Sequence, residues 1–591
     1  MTDRFVRDPE RGIWRRPAGE SLPYSDGADI EAGLLGALKA CRDVSSGSAE
    51  LLSLIRDWPS RYHLSPLRHN LIRHLEFRPG ATVLELGCGC GAMTRFLGEA
   101  GARVIAVEGS LRRAEIAAER CRDLPNVSVY CDNVAEFEFP ERFDTVLLIG
   151  VLEYAPMLLR DEDCVQKYLA AAAKFLADGG RLILAIENQL GLKYLAGHPE
   201  DHLGIAGYGV HDLYTRGTPV TFGRRELASL LARAGLVHQQ FMFPFPDYKL
   251  PTMMLGEAAP AHPTLRCDDL LHRSVSRCPT SAFFPSIAEN LAWRPIVRNE
   301  LLADLANSFL VTASPDATAA AEPAWLARSY AAERAPDFAT CTEIRDDGDG
   351  RLSVCRQPLS KAPGVAPPHP DLPFRHAASE SSPYVAGELL VVELQRALAR
   401  GCDASYVADW AAPWLRLLGS DPGGLLGSDL VSGAHLDTTP SNIIRQADGS
   451  LVAFDREWIW HAAIPIQWVV LRGLVNALVW SGPVTGPLAQ LTVVDVANEI
   501  LRVHGARQID AQFLAEVGAL EDSFQAAVHA RPPASRFASY VTSPLRTTGH
   551  TLSAQRIEEL ERELDRTLAS WSWKLTRPLR WLREMTGSSD R

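Results

Sequence analysis

The run Glu85-Leu86-Gly87-Cys88-Gly89-Cys90-Gly91 places three glycines at alternate positions behind a carboxylate. Glycines so spaced let a loop backbone approach a bound nucleotide where any Cβ would intrude. With Ala92 the run also satisfies G-x-G-x-x-A, so an NAD-binding oxidoreductase stands as an alternative reading. Three acidic positions favour S-adenosylmethionine (SAM). Glu85 precedes the first glycine, where the cationic aminopropyl end of SAM would lie. Glu108 ends the next apolar run, in position for ribose hydroxyls under either reading. Asp132-Asn133 ends the third, where an acidic side chain can accept from an adenine amino group.

These residues need a scaffold that brings the ends of several apolar runs together. The pattern predicts strands at 81–86, 103–107, 127–131, 145–149 and 181–186, with helices at 92–99, 111–121 and 163–176. Strands alternating with helices specify a parallel sheet covered on both faces, with ligands beyond the strands' carboxyl ends. Residues 1–29 read as irregular, and 30–56 as two short helices. Beyond 260 the chain reads as irregular and helical to 307, and the Ala-, Pro- and Thr-rich 312–323 reads as a linker or surface loop. A β-hairpin is expected at 339–344 and 352–356. The apolar stretch 459–480 carries His461, Gln467, Arg472 and Asn476, which suits a buried helix and not a bilayer span.

The glycine loop and its acidic followers resemble the successive motifs of class I SAM-dependent methyltransferases. Gly150-Val151-Leu152-Glu153-Tyr154, past the fourth strand, resembles that family's segment lining cofactor and acceptor, which implies cofactor contacts for Gly150 and Glu153. The runs Ile186 to Tyr194 (IENQLGLKY) and Glu200-Asp201-His202, with Tyr62-His63-Leu64-Ser65 and Pro244-Phe245-Pro246-Asp247-Tyr248, are similar to methyltransferases of bacterial O-antigen and capsule synthesis, including bifunctional kinase–methyltransferases. That resemblance implies a surface-polysaccharide acceptor bearing a sugar phosphate. A phosphate oxygen is already anionic and needs only positioning; Lys193, His202 and Arg68 are the cationic candidates to hold it. A sugar hydroxyl would need a base, for which His202, Glu200 or Asp201 could serve. The alternative is that such post-strand residues only cap helices or satisfy the loop.

His435-Leu436-Asp437-Thr438-Thr439-Pro440-Ser441-Asn442, followed by Ala453-Phe454-Asp455-Arg456-Glu457, resembles the catalytic loop and metal-binding Asp of aminoglycoside- and choline-kinase-like phosphotransferases. There Asp437 would accept the proton of the attacking hydroxyl, and Asn442 and Asp455 would hold Mg²⁺ against ATP. Tyr384-Val385-Ala386-Gly387 is similar to that family's hinge. The amino-terminal lobe departs from the pattern: no glycine-rich phosphate loop stands there unless Gly348 and Gly350 serve, and Arg356 occupies the lysine's place. An active, trimmed sugar kinase and a degenerate binding or scaffolding lobe both remain open.

The expected fold class is therefore α/β: a Rossmann-like doubly wound methyltransferase sheet, a protein-kinase-like domain with a trimmed N-lobe and mainly α C-lobe, and a C-terminal amphipathic or coiled-coil helix. The expected units are a polar-then-helical extension at 1–60, the methyltransferase at 61–260, the kinase-like domain at 265–545 and the tail at 552–585. In the tail, Ile557, Leu560, Leu564, Leu568, Trp571 and Leu575 recur at helical spacing before a basic, tryptophan-rich end. Such an end suits an anionic membrane surface or a glycosyltransferase partner, and the seam suits self-association. The 591 residues carry a formal charge of −12, against a general nucleic-acid binder. Eleven cysteines without paired spacing fit a reducing cytoplasm, with peripheral attachment to the inner face of the cytoplasmic membrane through the tail.

Overall fold

The computed structural model describes residues 4–17, 27–159, 161–276, 286–320, 323–359, 371–419, 429–478, 484, 486–531 and 536–545. The expected tail at 552–585 lies outside these residues.

A hairpin of β1 (Val6–Asp8) and β2 (Ile13–Arg15) opens the chain. It is followed by β3 (Thr82–Leu86), β4 (Arg103–Glu108), β5 (Val127–Cys131), β6 (Phe143–Ile149) and β7 (Leu176–Glu187). These five run parallel in the order β5-β4-β3-β6-β7, and strand order reverses beside β3. Central strands buried on both faces read as near-continuous apolar runs, and β3, β4 and β6 do so. Leu84, Val146 and Leu182 pack with helices on one face, and Val83, Leu147 and Ile183 on the other. Helices Ala92–Glu99, Leu111–Arg120 and Cys164–Ala173 connect the strands. The last is shorter than expected because β7 starts at Leu176.

Residues 1–29 are not all irregular: β2 adds to the sheet edge parallel to β5, with Trp14 stacked on Tyr130. Strands of three residues are too short to show a period of two. Nor does the sheet end near 260. After β8 (His238–Phe245) and β9 (Met253–Leu255), the chain passes through helices and returns as β10 (Ser308–Ser314), which lies antiparallel between β7 and β8. Every residue of β10 is buried, so the expected linker at 312–323 begins inside the sheet. Its Ser308, Thr312 and Ser314 disguise the strand. The expected boundary between 260 and 265 accordingly falls in an excursion between two neighbouring strands.

The sheet continues antiparallel through β9 into β11 (Trp325–Tyr330), β12 (Thr340–Asp346) and β13 (Leu352–Pro358). The expected hairpin is β12–β13. β14 (Phe374–His376) pairs with Trp458–Trp460, while β15 (Glu380–Pro383) completes the large sheet beside β13. Beyond it the chain is mainly helical around a separate core that includes Trp414, Trp468 and Phe524. The stretch 459–480 is not one helix: Trp458–Trp460 is a strand, and the helix is Ile466–Leu478, with Arg472 paired to Glu521 at 2.6 Å. Helix Ala28–Ala40 docks on Leu111–Arg120 through Leu34, Leu38 and Ile116, and through a buried Arg113–Glu31 ion pair at 2.9 Å. Among the described residues, no helix is long and apolar enough to cross a membrane.

Candidate active site

The carboxyl ends of β3 and β4 carry the glycine loop and Glu108. Gly87, Gly89 and Gly91 all take positive φ, at 82°, 54° and 76°. Two of them are fixed by the protein itself: a Cβ on Gly87 would lie 2.5 Å from Val151 Cγ2, and one on Gly91 2.8 Å from Ala117 Cα. A Cβ on Gly89 would meet nothing within 4 Å, so the loop turns its unfilled side outward at that residue. Glu108 braces the turn by accepting from Gly89 N–H at 2.8 Å and Ser110 N–H at 2.9 Å. Glu85 is buried and accepts from Thr94 Oγ1 at 2.6 Å; burial pushes its carboxyl up to about 7. The open cradle at Gly89 and the two carboxylates fit a cationic nucleoside such as SAM.

Asp132 follows β5, as its position in the sequence implies, but it already has a partner. Arg16, arriving from the end of β2, holds both its oxygens, with Nη2 2.8 Å from Oδ2 and Nε 2.8 Å from Oδ1. The adenine acceptor assigned to Asp132 is therefore committed to a guanidinium. Asn133 caps a short turn by accepting from Ala135 N–H at 3.1 Å. Arg16 was missed because nothing local marks an arginine more than 100 positions away.

The carboxyl ends of β6 and β7 form the second part of the site. Gly150 takes φ 69° and lies against Tyr248, whose hydroxyl would be 2.7 Å from an added Cβ. Glu153 and Glu187 are 1% and 0% exposed, and His202 sits between them, its Nε2 3.6 Å from Glu153 Oε1 and 3.9 Å from Glu187 Oε2. His202 Nδ1 is 2.8 Å from Glu200 Oε1, and Glu200 Oε2 accepts from the backbone N–H groups of His202 and Leu203. Burial opposes a charge on His202, but Glu187, Glu153 and Glu200 outweigh it and raise the imidazole well above its usual range.

The cationic cradle expected for a phosphate is not assembled. Lys193 is 3% exposed and its Nζ lies 2.8 Å from Asp201 and 3.7 Å from Asp247. Lys249, which the sequence did not single out, pairs with Asp201 and lies 2.6 Å from Glu187. Arg68 is spent on Tyr62 Oη at 2.8 Å and on the carbonyls of Tyr248 and Lys249. A buried charge is stable only when paired, and carboxylates have claimed both lysines. Within the Ile186–Tyr194 run, Asn188 donates to the carbonyls of Asp304 and Ala306, a structural tie to the segment before β10.

The second constellation does converge. Asp437, Asn442 and Asp455 line one cavity of about 590 Å³ together with Arg356 and Tyr384. Asn442 Nδ2 donates to the carbonyls of Asp437 and Asp455 at 3.0 and 3.3 Å. Asp455 adopts φ 51°, a strained conformation that Asp tolerates better than most residues. Burial pushes Asp437 up to about 7, with Glu457 adding to it. Arg356 ion-pairs with Asp455 and, at 2.6 Å, with Glu380. A guanidinium therefore already neutralises one of the two expected Mg²⁺ ligands.

The comparisons bear on the first half. A family described as a methyltransferase domain matches residues 83–180, which run from β3 into β7. The demethylmenaquinone methyltransferase of Tropheryma whipplei is 34% identical over 106 residues, covering 18% of this chain and 41% of that one. The ubiquinone biosynthesis O-methyltransferase of Idiomarina loihiensis is 30% identical over 157 residues, covering 25% and 61%. The chain thus spans less than two thirds of the length of either relative. Among solved structures, the N-methyltransferase NodS of Bradyrhizobium japonicum aligns with 25% of this chain and 75% of its own at 24% identity, with a TM-score of 0.20. The segment that matches the methyltransferase-domain family is the one that builds the parallel part of the large sheet, from β3 into β7.

Proposed function

We propose that this chain is a SAM-dependent methyltransferase acting on a precursor of a bacterial cell-surface polysaccharide. The observation that carries the cofactor assignment is the loop at Gly87–Gly91, closed on the protein at two glycines and open at Gly89, with Glu85 and Glu108 at its ends. Bound there, SAM supplies a methyl group on a sulfonium. Glu85 would hold the cationic amino end, Glu108 the ribose, and Gly150 with Glu153 would line the cofactor on its acceptor side. The relatives named for quinone substrates align with only 18% and 25% of this chain, so the acceptor is read from this chain's own residues. A glycan acceptor is supported by the resemblance of its 186–202 and 244–248 segments to O-antigen and capsule methyltransferases. The test is transfer of labelled methyl from SAM to free and phosphorylated oligosaccharides; labelling of isolated quinone precursors alone would sink the glycan assignment.

The second half is proposed to act on the same glycan, as a sugar kinase using ATP and Mg²⁺. Support comes from the convergence of Asp437, Asn442 and Asp455 on one cavity. One observation favours a second reading, a non-catalytic lobe that only binds: Arg356 occupies Asp455. Asp437→Asn should abolish phosphate transfer from ATP if the lobe is a kinase, and a wild-type chain that neither binds ATP nor transfers phosphate settles the matter for the binding lobe. The tail is proposed to dock the chain on a membrane surface or a glycosyltransferase, and removal of residues 552–591 should shift it out of the membrane pellet.

A further inference from the structure

Glu153, Glu187 and His202 come from three separate places in the chain: the turn after β6, the end of β7 and the loop beyond it. Among the described residues they are the one group of three His, Cys, Asp or Glu whose ligand atoms all lie within 4.8 Å of one another. The separations of 3.6 and 3.9 Å from His202 Nε2 to the two carboxylates are a few tenths of an ångström wider than the roughly 3.3–3.6 Å between tetrahedral ligands about 2.0–2.2 Å from one ion, a gap that small side-chain movements would close.

Two further features point to an ion and not to a mere salt-bridge knot. Glu200 is held rigid by two backbone N–H groups and faces His202 Nδ1 at 2.8 Å. With Nδ1 donating to that carboxylate, an ion would take the place on Nε2 of the proton that Glu153 and Glu187 otherwise hold there, the arrangement in which an outer carboxylate orients a metal-binding imidazole. Moreover, Glu153 Oε2 and Glu187 Oε2 are buried and make no hydrogen bond. Buried acceptors in that state call for a ligand. The local charge agrees. The carboxylates of Glu153, Glu187, Glu200, Asp201 and Asp247 gather around the ammonium groups of Lys193 and Lys249 and the imidazole of His202, while Arg68 is bonded to neutral oxygens.

We propose that Glu153, Glu187 and His202 bind one divalent cation, of the Mn²⁺, Mg²⁺ or Zn²⁺ kind, at the acceptor end of the methyltransferase site. The role of the ion rests on the methyltransferase reading; its binding does not. The ligands stand at the carboxyl ends of β6 and β7, within two strand spacings of the cofactor loop after β3, about 10 Å. Two carboxylates and one imidazole leave coordination positions for an oxygen acceptor. This gives an acidic pocket a way to hold an anionic or hydroxylated sugar that its committed lysines do not supply. A coordinated hydroxyl loses its proton to water more readily. Its oxygen then forms the C–O bond as the sulfonium C–S bond breaks, leaving a neutral thioether.

The test is titration of the full chain with Mn²⁺ alone, followed by electron paramagnetic resonance. The expected result is an ion showing nitrogen modulation from a bound imidazole, which Asn442 and Asp455 do not offer. Glu187→Gln should remove that signal, and Glu200→Gln should weaken it about 10- to 100-fold. Wild-type protein that binds no nitrogen-coupled Mn²⁺ overturns the site whether or not the variants fold, as does a signal unchanged in Glu187→Gln. SAM titration of the same samples separates the two ideas. Mn²⁺ bound without SAM keeps the ion and removes the methyl-transfer role, whereas SAM bound without Mn²⁺ removes the ion alone.

Discussion

A methyl group added at Gly91 and one added at Gly89 should have opposite consequences. Both residues lie at positive φ, where an L side chain costs about 1–2 kcal/mol. At Gly91 the new Cβ would also stand 2.8 Å from Ala117 Cα and 2.9 Å from its Cβ, in a helix whose backbone cannot yield cheaply. Overpacking of that kind adds about 1–3 kcal/mol, so Gly91→Ala should lose about 2–5 kcal/mol. For a unit of this size that lowers Tm by roughly 4–20 °C. At Gly89 no atom lies within 4 Å of the new Cβ, so the stability loss should stay near the backbone cost of about 1–2 kcal/mol. The methyl would instead enter the space assigned to the cofactor, and SAM affinity should fall at least about tenfold. Differential scanning calorimetry beside SAM titration reads both effects. Gly89→Ala that binds SAM as well as the wild type, or Gly91→Ala with unchanged Tm, refutes the reasoning.

Three other outcomes follow from the same geometry. Glu85 is raised by burial from 4.5 to about 7. Its share of stability is complete below pH 4.5 and is lost as pH rises through about 7. Glu85→Gln should therefore gain on the wild type between pH 5 and pH 8, by at most about 3 kcal/mol, in urea unfolding; parallel curves at the two pH values would falsify this. Glu31→Ala strips the buried Arg113 of its carboxylate and should cost about 3–5 kcal/mol, with faster hydrogen exchange across Ala28–Ala40. Arg16→Ala opens Asp132 and should leave SAM affinity within about threefold of the wild type; a larger fall would give Arg16 the cofactor contact instead.

The part of the fold that could be read from sequence is the part whose strands are long, apolar and punctuated by glycine. From β3 to β7 local pattern and tertiary demand agree, because a strand buried on both faces must be apolar throughout. β10 hides because its buried polar residues break the apolar run: Ser314 reaches the Gly180 carbonyl at 2.8 Å and Ser308 accepts from Tyr248 N–H at 2.8 Å. β1 and β2 hide because three residues show no period. The site divides in the same way. Gly87, Glu108 and Gly91 are set by local turn geometry and sit where their spacing implies. The pairing of Lys193 and Asp132 was not legible because their partners, Asp201, Asp247 and Arg16, are fixed by tertiary contacts that a motif does not encode. The Glu153–Glu187–His202 grouping was legible only residue by residue, since no spacing reveals that a turn, a strand end and a later loop meet.

The most direct test of the central claim is calorimetric titration of the intact chain with SAM, beside Glu108→Ala. The account predicts saturable binding in the micromolar range, about −8 kcal/mol, weakened by the substitution. Heat from NADH but none from SAM, or identical SAM binding by Glu108→Ala, would contradict it.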